Sequence, residues 1–149
     1  MQLRLKYPPT PEAAPQHAAL CVSAAHLIND IDLDYSVESL MRLDGLIEHL
    51  RQGGLTSERM AEVIFSFGCY MGEVFVRQAG GEWCPTEGSP MEGVTGFPLI
   101  IQLDTYKYCN PIGKVFKRLD QGPAHALPAF YRLYTRRDAP TLGPIPAVH

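Results

Sequence analysis

Apolar residues recur three and four positions apart in three successive stretches of the chain, the spacing that lines one face of a helix. Leu20, Ala24, Leu27, Ile28 and Ile31 predict a first helix that begins at His17 and ends near Ile31. Asp32 to Ser36 breaks the pattern. Ser36 or Asp34 is suited to accept the free N–H groups of a second helix built on Leu40, Leu43, Leu46, Ile47 and Leu50. Gly53-Gly54 stops that helix, because glycine takes the left-handed conformation that closes a helical turn. Thr56 or Ser57 is expected to cap a third helix carrying Met60, Ile64, Phe67, Met71, Val74 and Phe75. Apolar on more than one side, it is predicted to be the central, most buried helix, ending at Gly80-Gly81.

Beyond Gly81 the pattern changes. Residues 82–96 are dense in glycine and proline, which predicts short strands and loops with Trp83 at a strand start. Phe97 to Leu103 is the best strand, and Pro98 marks it as an edge or as the start of a strand. Asn110 sets a capping side chain before Pro111, opening a helix with Val115, Phe116 and Leu119 that Gly122-Pro123 ends. A last helix runs from about Leu127 to Arg137, with Pro128 tolerated in its first turn. Pro8, Pro9, Pro11 and Pro15 make residues 1–16 an extended lead-in, with Leu3 and Leu5 in a short strand, and residues 138–149 read as a loosely ordered tail. The pattern predicts one α+β domain over 1–149: three N-terminal helices, a small antiparallel sheet, and one or two C-terminal helices.

Composition agrees with a single globular unit, at 149 residues, 46% hydrophobic and 19% charged. A net charge of −3 gives no overall attraction for nucleic acid or an acidic membrane. The charge is segregated, however. Residues 1–60 hold 5 basic and 8 acidic side chains (−3), residues 61–104 hold 1 and 6 (−5), and residues 105–149 hold 7 and 2 (+5). Such asymmetry steers charged partners or pairs helices within a fold. Asp30, Asp32, Asp34, Glu38, Asp44 and Glu48 form the acidic surface. A nucleic-acid reading would have to rest on Lys107, Lys114, Lys117, Arg118, Arg132, Arg136 and Arg137. No apolar run approaches the roughly 18–20 residues of a membrane-spanning helix, and no cleaved export signal is expected. Cys21, Cys69, Cys84 and Cys109 form no C-x-x-C pair, so the default is a reduced, cytoplasmic chain.

Chemistry is thinly marked. Gly68 and Gly72, four apart, let another backbone approach the third helix. Tyr70, Glu73 and Arg77, with Glu62 and Ser66, fall in one stripe of it, either lining a cleft or pairing Glu73 with Arg77 for charge alone. With Trp83 this stripe is one candidate contact surface; the acidic second helix, through Asp34, Glu38 and Asp44, is another. Asn110, Lys114, Lys117 and Arg118 surround a helix N-terminus where an anion could bind. His17 and Cys21 are i,i+4 but make only two ligands, so no metal is expected. Cys69 or Cys109 with His125 lacks any nucleophile motif, and neither a dinucleotide nor a P-loop fingerprint is present. No cofactor is expected.

Three segments carry a resemblance: Leu33-Asp34-Tyr35-Ser36 with Ser39-Leu40 and Leu43-Asp44; Tyr70-Met71-Gly72-Glu73-Val74 leading to Gly80-Gly81-Glu82-Trp83; and Asn110-Pro111-Ile112-Gly113-Lys114-Val115. Over roughly residues 33–120 the chain resembles an uncharacterised bacterial family of small α+β proteins. Similar proteins are often encoded near contact-dependent or type VI secretion toxins, where cytoplasmic immunity proteins are found. The resemblance implies no catalytic residues, since the family has no assigned activity. The leading expectation is a non-enzymatic protein-binding module, an immunity or adaptor protein for a toxin partner. The alternative is a small-molecule binder or enzyme with a cleft between the central helix and the sheet, Glu73 as acid or base and Lys114 holding an anion.

Overall fold

The computed structural model describes residues 4–136 and Thr141. Five helices and three strands follow one another: α1 (Ala14–Asn29), α2 (Ser39–Gln52), α3 (Ala61–Ala79), β1 (Glu82–Pro85), β2 (Leu99–Asp104), β3 (Lys107–Cys109), α4 (Pro111–Gln121) and α5 (Leu127–Thr135). Short 3-10 turns lead into α1 and α5. This is the α+β arrangement that the hydrophobic pattern predicts.

α3 is the centre. Every residue from Ile64 to Phe75 is buried, which no amphipathic surface helix can achieve. Two glycines make that burial compatible with close packing. A Cβ at Gly68 would lie 2.6 Å from the Cα of Ile112, so α4 crosses α3 with backbone against backbone. A Cβ at Gly72 would overlap Cη2 and Cζ2 of Trp83, whose ring edge β1 lays on that face. The helix closes at Gly80, left-handed with φ 72°, whose N–H returns to the Phe75 carbonyl.

α1 departs from expectation. Its buried face is Ala14, His17, Ala18, Cys21 and Ala25, whereas Leu27 and Ile28, expected in the core, are 79% and 78% exposed. Small residues at 14, 18, 21 and 25 have the same helical spacing as the larger ones, and they bring α1 close to α3. The helix stops at Asn29, two residues early, because Asp30 turns left-handed (φ 53°) and returns its N–H to the helix.

The start of α2 matches expectation as a relay, with Asp34 Oδ1 accepting from the Ser36 backbone (3.1 Å) and Ser36 Oγ accepting from the Ser39 backbone (3.1 Å). Neither Thr56 nor Ser57 caps α3. Ser57 gives its N–H to Asp120 of α4 (2.9 Å), and α3 begins at Ala61 with no side-chain cap.

The sheet is antiparallel in the order β1-β2-β3, with Trp83 opposite Ile101 and Ile101 opposite Cys109. Pro98 therefore precedes a central strand instead of marking an edge. Asn110 caps α4 as predicted, its Oδ1 accepting from the Gly113 N–H at 3.0 Å. Residues 11–16 are helical where an extended lead-in was expected, and Leu5 is in no strand but packs against the core. Leu3, Arg137 and the 138–149 tail, Thr141 aside, lie outside the described residues.

Candidate functional site

The stripe on α3 is brought together as a closed latch. Glu73, 4% exposed, accepts from Trp83 Nε1 (2.8 Å) with one carboxylate oxygen and from Arg77 Nε (3.1 Å) with the other. The Arg77 guanidinium lies 3.6 Å from the centre of the Tyr35 ring, which in turn stacks on Tyr70 at 4.8 Å. Tyr70 Oη accepts from the Tyr35 N–H (2.8 Å) and shares a hydrogen bond with Ser39 Oγ (2.6 Å). Tyr35 is left-handed (φ 64°), uncommon for so bulky a residue. These contacts and Gln78 Nε2, which donates to the Tyr35 carbonyl (2.9 Å), hold it there. Burial pushes the Tyr70 phenol above its ordinary pKa, against the opposing effect of its hydrogen bonds to Ser39 and Tyr35. The latch joins α3, β1 and the α1–α2 connection. Trp83 fills the space over Gly72.

A second cluster divides the predicted anion set. The Arg118 side chain is 3% exposed and faces α2, with Nε 3.0 Å from Asp44 Oδ1 and Nη1 2.7 Å from Glu48 Oε1. Asp44 Oδ1 also accepts from the Leu127 N–H (2.8 Å), so this carboxylate ties α2 to both α4 and α5. Glu48 is further held by Arg51 (2.7 Å). Hydrogen bonds from Arg51 first, then Arg118, bring the Glu48 carboxyl down from 4.5 to about 2. Asp44 is thus an interior tie, not an open contact residue, and Arg118 is not free to meet an anion. The helix end beside them is also engaged, since Gly113 N–H goes to Asn110 Oδ1 and Lys114 N–H to the Asn110 carbonyl (3.1 Å). Lys114 meets His125 instead, Nζ to Nδ1 at 3.0 Å, and Lys117 is exposed.

Asp34 and Glu38 remain at the surface. Asp34 lies in a groove of about 710 Å³ between the α1–α2 connection and α2, with Ile31, Met41 and Leu46 apolar and Asp30 and Asp32 beside it. Arg42 spans it, donating to the Asp32 carbonyl (3.0 Å) and Asp34 Oδ1 (3.2 Å). Hydrogen bonds from Ser36 hold the Asp34 carboxyl below its ordinary pKa. Met41 is 71% exposed, and Leu27 and Ile28 sit just before the groove on α1. Sequence reasoning placed Leu27 and Ile28 in the core, whereas Met41 lay outside the apolar set assigned to α2. The signal lay in the small-residue face of α1, which competes with the large one for the core.

A second cavity, about 600 Å³, lies between the segment around Val94–Phe97, α4 and α5, and has Lys114 and Lys117 in its lining. Burial raises the Cys69 and Cys109 thiols well above their usual pKa, the reverse of nucleophile activation. His17 Nε2 is taken by the Pro8 carbonyl (2.9 Å). Among the described residues no three His, Cys, Asp or Glu side chains stand where they could share a metal ion, and no helix is long and apolar enough to cross a membrane. Compared with known proteins, the chain matches no family model, no curated protein and no solved structure.

Proposed function

We propose that the chain is a non-enzymatic protein-binding module whose α1–α2 groove takes a basic partner with an apolar anchor. The observation that carries this reading is the exposed Met41 in the lining of a groove bearing Asp30, Asp32 and Asp34, with Leu27 and Ile28 exposed on α1 immediately before the first lining residue, Asn29. Exposed apolar surface rimmed by charge marks contact sites in soluble proteins. Three carboxylates against one arginine, Arg42, with His26 Nδ1 2.8 Å from Asp32 Oδ1, give the groove a sign, and that sign selects a basic surface. The resemblance to small bacterial immunity-like proteins gives the proposal its particular form, an immunity or adaptor protein neutralising a cytoplasmic toxin. The latch and the Arg118 cluster then serve as scaffold, fixing the connection that lines the groove.

The experiment is capture from the native lysate at low salt with tagged wild-type chain, Met41→Glu, and the double variant Asp30→Asn/Asp32→Asn. Asparagine keeps the left-handed turn at 30 unstrained. One stoichiometric basic protein, retained by wild type and lost by both variants with folding intact, is the expected result. A partner retained equally by all three chains, no retained protein, or retention of a second copy of this chain alone would overturn the proposal.

A further inference from the structure

We infer that the cavity between α4, α5 and the Val94–Phe97 segment is a second binding site, for a small acid with a flat apolar body such as an aryl carboxylate. This goes beyond the groove and is independent of it. The cavity has the size of ordinary small-ligand sites, which run from about 300 to 1,000 Å³. Two aromatic pairs line it: Phe97 with Phe116, ring centres 4.7 Å apart, and Phe130 with Tyr134, 4.8 Å apart. Flat apolar walls of this kind accept an aromatic or alkyl body.

The cavity lining carries an excess of positive charge. Arg42, Arg51, Arg77 and Arg118 all meet carboxylates, but Lys114 and Lys117 form no ion pair among the described residues. Lys114 Nζ has a histidine nitrogen at 3.0 Å and the Phe130 ring centre at 5.5 Å as its neighbours. Asp120, the acid in the same lining, is held by the Ser57 backbone and hydroxyl and offsets one of the two ammonium charges, leaving the lining with one net positive charge. Burial first, and then Lys117, push the Lys114 ammonium below its usual pKa, while burial and the nearby cations push His125 down toward the neutral form that accepts from Lys114. A bound carboxylate supplies the missing counter-charge, and its apolar body covers the aromatic walls. The ammonium groups act here, not the end of α4, whose N–H groups at Gly113 and Lys114 are already bonded.

The test is calorimetric titration of the full chain with 2-naphthoate, with 2-naphthylmethanol and with inorganic phosphate, in wild type, Lys114→Met and Lys117→Gln. The near-identical naphthyl bodies isolate the charge, and phosphate isolates the anion. The expected result is saturable 1:1 binding of the acid, with the alcohol weaker by about ten-fold or more, as loss of a charge-assisted contact implies. Lys114→Met erases that preference and leaves the alcohol unchanged; Lys117→Gln, at an exposed position, reduces it by about three-fold. Equal affinity for acid and alcohol, phosphate binding as tightly as the acid, preference undiminished in both lysine variants, or no saturation by the acid below about 5 mM would each overturn the inference.

Discussion

Replacing Gly72 by alanine is a helix-favouring change that this fold should punish. Intrinsic propensity alone favours alanine by about 1 kcal/mol in a helix interior. The new Cβ would overlap Trp83 at Cη2 and Cζ2 and stand 3.1 Å from Cε2, so the indole must leave its place. Overpacking of this kind costs about 1–3 kcal/mol. The ring cannot move without giving up the hydrogen bond from its Nε1 to Glu73 (2.8 Å), whose acceptor is buried and charged. That loss adds about 1.5–3 kcal/mol. Subtracting the propensity gain leaves a net destabilisation of about 1.5–5 kcal/mol, with about 3 kcal/mol central. For a chain of this size that value is a fall of roughly 6–12 °C in melting temperature. Gly45→Ala in α2 is the control: nothing lies within 4 Å of its Cβ, and it should stabilise by up to about 1 kcal/mol. The assay is thermal and urea unfolding followed by tryptophan emission, which reports on Trp83 alone because the chain has one tryptophan. In Gly72→Ala the native emission should also shift to the red. Unchanged emission with a melting temperature equal to or above wild type would refute the packing argument.

Other consequences are checked as readily. Arg118→Met leaves Asp44 without a cation while Glu48 keeps Arg51; breaking a buried pair costs about 3–5 kcal/mol, and the 19% exposure of the Asp44 side chain lowers this to about 2–4 kcal/mol. Urea unfolding measures it, and Arg118→Lys should recover little because lysine lacks the forked geometry; a loss below about 0.5 kcal/mol would contradict the tie. Glu48 has its carboxyl lowered from 4.5 to about 2 in the fold, so its contribution is whole above 4.5 and is lost as pH falls from there toward 2. Wild type should therefore lose more stability between pH 5 and pH 2.5 than Glu48→Gln does, and parallel curves would count against the assignment.

The helices were legible because each buries a periodic apolar set, and α4 was doubly marked by Asn110 before Pro111. What was not legible depends on contacts between distant segments. β3 is Lys107-Tyr108-Cys109, too short to show alternation, and becomes a strand only because β2 pairs with it. Asp44 and Arg118 are 74 positions apart, so an acidic helix face and a basic one looked like two surfaces when they are one interior pair. Ser57 had the chemistry of a cap but found Asp120 instead. In α1 two apolar faces compete at the same period, and the alanine face wins because α3 lies too close for leucine. Tyr70, Glu73, Arg77 and Trp83 stand together through the Tyr35 ring, and their polar atoms turn to one another. The groove followed from none of these patterns, because its walls come from both the α1–α2 connection and α2 and depend on how the two pack.

The groove is tested most directly by hydrogen exchange on the complex formed with the captured partner, compared with the chain alone. The account predicts slowed exchange confined to peptides spanning about residues 26–34 and 41–49, with the Phe97, Phe116 and Phe130 cavity unaffected. Slowed exchange over α4 and α5 with none along α2 would contradict it.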